Sequence, residues 1–147
     1  MNRIGYWILA QTQYRVHSPF VFDMYRKVLF AELDRATRSA VLAAGQEACG
    51  GAAVRRRDRC YHELVYKLRD HYGLRVCCYD GDEAVLEGDP ASFGSLKVVC
   101  RPQRCRAREL RWQSQQGNAK YNVSIDLYDA GILLSHPRLH PQHFLLK

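Results

Sequence analysis

The 147-residue chain has no apolar run long enough to cross a membrane. Its first apolar stretch, Ile4 to Ala10, is interrupted by Gly5 and has only Arg3 ahead of it. It runs into Gln11, Thr12 and Gln13 with no small-residue cleavage site. That is too short and too polar-flanked for a signal peptide. We therefore expect a helix that packs, in a cytoplasmic protein without membrane contact. No two cysteines are spaced C-x-x-C; the six stand at positions 49, 60, 77, 78, 100 and 105. This gives no zinc or thioredoxin-like motif and leaves structural thiols as the expectation. Cys77 and Cys78 are adjacent in a strand-like run and so point to opposite faces. No serine or cysteine stands with a partner base, so no catalytic residue is identified. His17 precedes a helix start and reads as a partner of the chain reversal rather than a catalyst. His136, His140 and His143 are separated by Pro137 and Pro141, so no helix face unites them and no metal is expected. Internal repeats and low-complexity tracts are also absent.

What is present is the material of one domain. The length suffices for a single core without staples. Hydrophobic residues at 47% and charged residues at 25% fit a globular chain. The 22 basic residues exceed the 15 acidic ones, giving a net charge of +7. That surplus favours acidic partners such as nucleic acid, nucleotides or anionic membrane, without choosing among them.

The pattern divides the domain into a mainly helical part, 1–73, and a sheet-forming part, 74–147. Tyr6 to Gln13 reads as a short helix. Ser18 is a natural N-cap and Pro19 fits the first helical position, which predicts a helix from Pro19 to about Leu33. Phe22, Tyr25, Leu29 and Leu33 would form its apolar stripe. Helices follow over 37–48, closed by Gly50-Gly51, and over 60–72, closed by Gly73. Arg75–Tyr79 and Leu96–Cys100 are strand candidates, with a loop expected over Asp80–Gly94 between them. A helix over 104–116 precedes two strands, 122–127 and 131–135. The tight link Tyr128-Asp129-Ala130 makes those two antiparallel neighbours. His143–Leu146 is a candidate last strand.

Two stretches carry a family likeness. One is His17-Ser18-Pro19-Phe20-Val21-Phe22-Asp23-Met24-Tyr25. The other is Val123-Ser124-Ile125-Asp126-Leu127-Tyr128-Asp129-Ala130-Gly131-Ile132-Leu133-Leu134. They resemble the amino-terminal helix start and the closing hairpin of a bacterial class I S-adenosylmethionine-dependent methyltransferase family. Leu96–Cys100 falls where that family has its last parallel strand, and Trp112 where it carries a tryptophan on the following helix. The likeness covers about half the chain. It implies an α/β, reduced Rossmann-like methyltransferase fold, with amino-terminal helices packed on a small, mostly parallel sheet that ends in an antiparallel hairpin. It also implies S-adenosylmethionine as cofactor, with Asp80, Gly81, Asp82 and Glu87 as the nearest match to the cofactor turn and ribose-gripping acid. The chain departs from the family there. One glycine stands where two or three would let the backbone approach a ligand. Glu87 follows too soon for an intervening helix, and Cys100-Arg101-Pro102 replace acids at the end of the last parallel strand. Alternatively Asp80-Gly81 matches the family's fourth strand end, and the cofactor half is deleted. Either way, loss of methyl transfer is expected.

The remaining signals are charge clusters. Arg104, Arg108 and Arg111 share a helix face at i, i+4, i+7, and Arg101 stands just ahead of them. Arg55, Arg56, Arg57 and Arg59 form a second basic block. Such arginine density suits phosphate, which a guanidinium can hold by two oxygens, and Trp112 could add a stacking surface. Asp80, Asp82, Glu83, Glu87 and Asp89 read as a ribose or divalent-cation site, or as a solvated loop. Three functions follow: a methyltransferase-like protein that still binds a nucleotide cofactor; a degenerate relative docking its basic faces on nucleic acid or an acidic protein; or an internally deleted remnant. An exposed sheet edge would invite a homodimer.

Overall fold

A computed structural model describes residues 18–89 and 94–146. The expected helix over Tyr6–Gln13 and the position of His17 lie outside them. Helix α1 (Pro19–Met24) starts as its sequence dictates, with Ser18 Oγ accepting the Val21 N–H at 3.4 Å. It does not reach Leu33. The chain widens into a π turn, Tyr25–Leu29, and leaves the helix at Phe30. The reason lies just ahead. The Asp34 carboxylate accepts the Thr37 N–H and the Thr37 hydroxyl, each at 2.8 Å, and so starts α2 (Arg35–Ala48) early. A 3₁₀ turn, Arg56–Asp58, leads into α3 (Arg59–Tyr72), which stops at Gly73 in the left-handed conformation, φ 63°. Helix α4 is Arg106–Gln116.

The strands are β1 (Arg75–Tyr79), β2 (Glu83–Glu87), β3 (Ser95–Cys100), β4 (Val123–Asp126), β5 (Ala130–Leu134) and β6 (Gln142–Leu145). They form one sheet in the order β1-β2-β3-β5-β4-β6. The expected mostly parallel sheet is overturned: β4–β6 is the one parallel pairing, and the other four are antiparallel. The cause is β2, in a segment expected to be loop. Ala84 and Leu86 alternate into the core while Glu83, Val85 and Glu87 face outward. The three-residue link Asp80–Asp82 is far too short for a parallel crossover, so β1–β2–β3 is a meander. The closing hairpin β4–β5 is present as expected. Because β5 is antiparallel to both β3 and β4, those two run parallel to each other, and α4 is the crossover between them.

The two faces of the sheet are covered unequally. On one, Leu86, Leu96, Val98, Ile125, Ile132 and Leu134 pack with residues of α1 and α3, among them Met24, Tyr61, Leu64 and Leu68. On the other lies α4, whose one buried residue, Trp112, packs with Tyr121, Leu133 and Val99. The architecture is therefore α/β, with helices on a six-stranded mixed sheet.

Candidate anion-binding site

Of the four residues expected to hold a cofactor, Asp80, Gly81 and Asp82 share the β1–β2 turn, and Glu87 stands apart. Asp80 Oδ1 accepts the N–H groups of Asp82 and Glu83 at 2.7 and 2.9 Å, so this carboxylate closes the β1–β2 turn. Asp82 pairs with Arg108. A side chain at Gly81 would meet Cys49 Sγ at 3.2 Å, so the tight approach there is to protein. Glu87 lies at the far end of the ladder, opposite Arg75, and pairs with it at 3.1 Å. The turn leads into a strand, so no helix amino terminus faces it.

The predicted arginine face divides in two. Arg108 pairs with Asp82 and donates to the Cys100 carbonyl at 2.9 Å. Arg111 lies 3.6 Å from Glu83, which also pairs with Lys97. These arginines fasten α4 to the outer face of β2, and the acidic cluster supplies their partners. Arg101 and Arg104 sit elsewhere. With Arg57, Gln103, Tyr128 and Asp129 they line a cavity of about 230 Å³. The two basic blocks of the sequence thus meet in space. Arg101 pairs with Asp58 at 3.4 Å. Among the described residues no carboxylate pairs with the exposed Arg57 or Arg104 side chain.

The position of this cavity follows from topology. Cys100 ends β3 and Asp126 ends β4, and both stand opposite the start of β5. Residues just beyond those carboxyl ends line the cavity, the usual place for ligands in open α/β sheets. Its backbone is also unusual. Arg101 (φ 46°) and Tyr128 (φ 68°) are the two non-glycine residues with positive φ among those described, and both line it. Such strain collects where surrounding structure must hold a site in place. Here the Arg101 N–H donates to the Asp129 carbonyl at 3.0 Å, tying the two loops together.

Asp126 underlies the cavity. It is 1% exposed, and it accepts the Gln103 amide at 2.6 Å and the Tyr128 N–H at 2.8 Å. Burial pushes its carboxyl above the ordinary range. An acid raised in the folded state binds its proton more tightly there than in the unfolded chain. This group therefore stabilises the fold at low pH and loses that contribution as pH rises from 3.8 through the folded value. Asp126→Asn should remove that component from a urea-melt pH series. Near neutrality it should cost little, because the Gln103 amide can turn its unpartnered oxygen to the new donor. Asp126→Ala, which orphans both donors, should cost about 1–3 kcal/mol.

The other candidates are already engaged in structure. His143 Nδ1 lies 2.6 Å from Ser124 Oγ, but that hydroxyl is buried and also accepts from Gln116. His136 packs on Phe20, and His140 is exposed. No group of three metal-ligating side chains occurs among the described residues. A second cavity, about 170 Å³, lies between α2, α3 and β1, with apolar walls including Val41, Ala44 and Val65. Of its polar groups, His62 and Tyr79 face each other at 2.5 Å, and Tyr66 and Arg69 also line it. Within the described residues no helix is long and apolar enough to cross a membrane.

Sequence reasoning found the arginines but missed Gln103, Tyr128 and Asp129. The available signal was the short link Tyr128-Asp129-Ala130, which without glycine must force another residue into the left-handed region. Compared with known protein families, with curated proteins and with solved structures, the chain matches none.

Proposed function

We propose that the protein is a basic binding module for single-stranded nucleic acid, with the cavity of Arg57, Arg101 and Arg104 as its phosphate site. The observation that carries this reading is the convergence of two distant basic blocks on one cavity, with two of its guanidinium groups left without carboxylate partners. Tyr128 adds an aromatic ring to the lining, and rings beside basic residues serve sequence-tolerant stacking. The test is binding of a single-stranded RNA or DNA across a salt series. Affinity should fall linearly on a log–log plot, with a slope near −0.7 per phosphate contacted. Arg57→Ala and Arg104→Ala should each flatten the slope by about 0.7. Arg111→Ala, which removes a partner of Glu83, should leave it unchanged. Affinity indifferent to salt, or no binding at low salt, would sink the reading.

Methyltransferase-like ancestry is a second reading. What supports it is the order β3–α4–β4–β5, which runs through the segments that carry the resemblance, and the contact of Trp112 with Gly131 of the hairpin. This reading makes the protein a degenerate relative that has lost methyl transfer. It expects no thermal shift with S-adenosylhomocysteine, since the acidic turn is occupied by its own hydrogen bonds and ion pair. A saturable shift would restore the cofactor-binding alternative. A remnant without function would lack a closed core. The contiguous cluster from Val21 to Leu146 instead supports one cooperative melt. A homodimer through a sheet edge would use β6, because β1 is bulged at Cys77, which blunts pairing. Sedimentation of the purified chain tests this.

A further inference from the structure

The cavity has a size and a charge that favour one kind of phosphate over another. We propose that it takes a terminal phosphomonoester, as at the phosphorylated end of a single strand or on a mononucleotide, in preference to an internal phosphodiester. This rests on the anion-binding reading above.

Size is the first argument. At about 230 Å³ the cavity is below the range of roughly 300–1,000 Å³ that encloses drug-sized ligands. It suits one compact group rather than a length of polymer.

Charge is the second. Arg101 is paired with Asp58, whereas the Arg57 and Arg104 guanidinium groups have no carboxylate within pairing distance among the described residues, so two positive charges are open to a ligand. A phosphomonoester carries about −1.5 to −2 at pH 7 and three acceptor oxygens. A diester carries one negative charge and two free oxygens. The monoester therefore neutralises more of the cluster and can engage more of its forks at once.

Geometry is the third. The three arginines come from two places in the chain: Arg57 from the turn before α3, and Arg101 and Arg104 from the turn between β3 and α4, closed by the Arg104 N–H to the Arg101 carbonyl. They can therefore approach a tetrahedral group from two sides. The left-handed Arg101 and Tyr128 and the hydrogen bond from Arg101 N–H to the Asp129 carbonyl fix the frame before any ligand arrives.

The experiment compares one short single strand in three forms: phosphate at one end, phosphate at the other, and hydroxyls at both. Binding is read by fluorescence anisotropy at fixed salt. One phosphorylated form should bind on the order of tenfold tighter than the hydroxyl form, the gain expected for an added charge-assisted hydrogen bond. Inorganic phosphate should compete away that gain. The gain should also grow as pH rises through about 6, where the monoester loses its second proton. Arg57→Ala/Arg104→Ala should abolish the preference while leaving the thermal melt unchanged, since both side chains are exposed.

Equal affinity for all three forms overturns the monoester proposal and leaves the nucleic-acid module standing. Binding of a mononucleotide and inorganic phosphate, without any strand, supports the monoester site and contradicts the nucleic-acid reading. No binding by any of these probes overturns both.

Discussion

Trp112→Ala should destabilise the protein by about 3–5 kcal/mol, a large share of the roughly 5–15 kcal/mol that holds a domain together. Trp112 is 2% exposed and is the one buried residue of α4, so its loss removes the apolar anchor of the helix. The remaining ties are polar: Arg108 to Asp82 and the Cys100 carbonyl, Arg111 to Glu83, and Gln116 to Ser124. Exposed ion pairs of this kind contribute little. The seat of the ring is Gly131, where a Cβ would come within 2.6–3.0 Å of three indole carbons. Gly131→Ala should therefore cost about 1–3 kcal/mol through overpacking, although alanine is the better residue for an ordinary strand. The two effects should not add. In a Trp112→Ala background the clash is gone, and Gly131→Ala should become nearly neutral in urea melts. Full additivity would mean that the glycine is required for some other reason.

The second large effect centres on His62. Its ring is 1% exposed; Nδ1 lies 2.5 Å from the Tyr79 hydroxyl, and Nε2 lies 3.9 Å from Cys49 Sγ. Tyr79→Phe leaves a buried imidazole nitrogen without a partner and should cost about 1–3 kcal/mol. Gly45→Ala carries the opposite sign to helix propensity. Alanine in a helix interior normally gains about 1 kcal/mol over glycine. Here its Cβ would stand 2.7 Å from His62 Nδ1 and 2.8 Å from Cγ, so the ring must shift from the position in which it meets the Tyr79 hydroxyl. Gly45→Ala should therefore lower the melting temperature.

This histidine also sets a pH dependence. Burial lowers its basicity in the fold, so on acidification the unfolded chain takes up a proton near pH 6.5 while the folded one does not. Stability contributed by neutral His62 is full above 6.5 and declines as pH falls through the window down to the folded value. Asp126 contributes with the opposite sign. A pH series on wild type and on Asp126→Asn separates the two. A histidine contribution that rose on acidification would contradict the buried, neutral assignment.

Much of the helical half was legible because its signals are local. Gly73 stops α3 as its lack of Cβ permits, and Ser18-Pro19 starts α1. Leu33 was misread because periodicity reports a stripe and is blind to a π turn that shifts it. The β2 strand was missed because acids and glycines around it read as loop, while the decisive fact was tertiary. Glu83 faces Lys97 and Arg111 across the sheet and α4, so its charge belongs on a strand. That strand turned an expected parallel sheet into a mainly antiparallel one.

The candidate site was half legible. Helical spacing grouped Arg104, Arg108 and Arg111, yet Arg108 and Arg111 turn toward β2 and Arg104 toward the cavity. Only the fold brings the turn before α3 beside Arg101, 43 residues away from Asp58 in sequence.

The most direct test of the central claim is side-chain NMR of arginine guanidinium groups during titration with an end-phosphorylated single strand. The account predicts shifts concentrated at Arg57, Arg101 and Arg104, together with the Tyr128 ring, while Arg111 and Arg75 stay in place. Shifts centred on Arg108 and Arg111 instead, or spread evenly over all surface arginines, would contradict it.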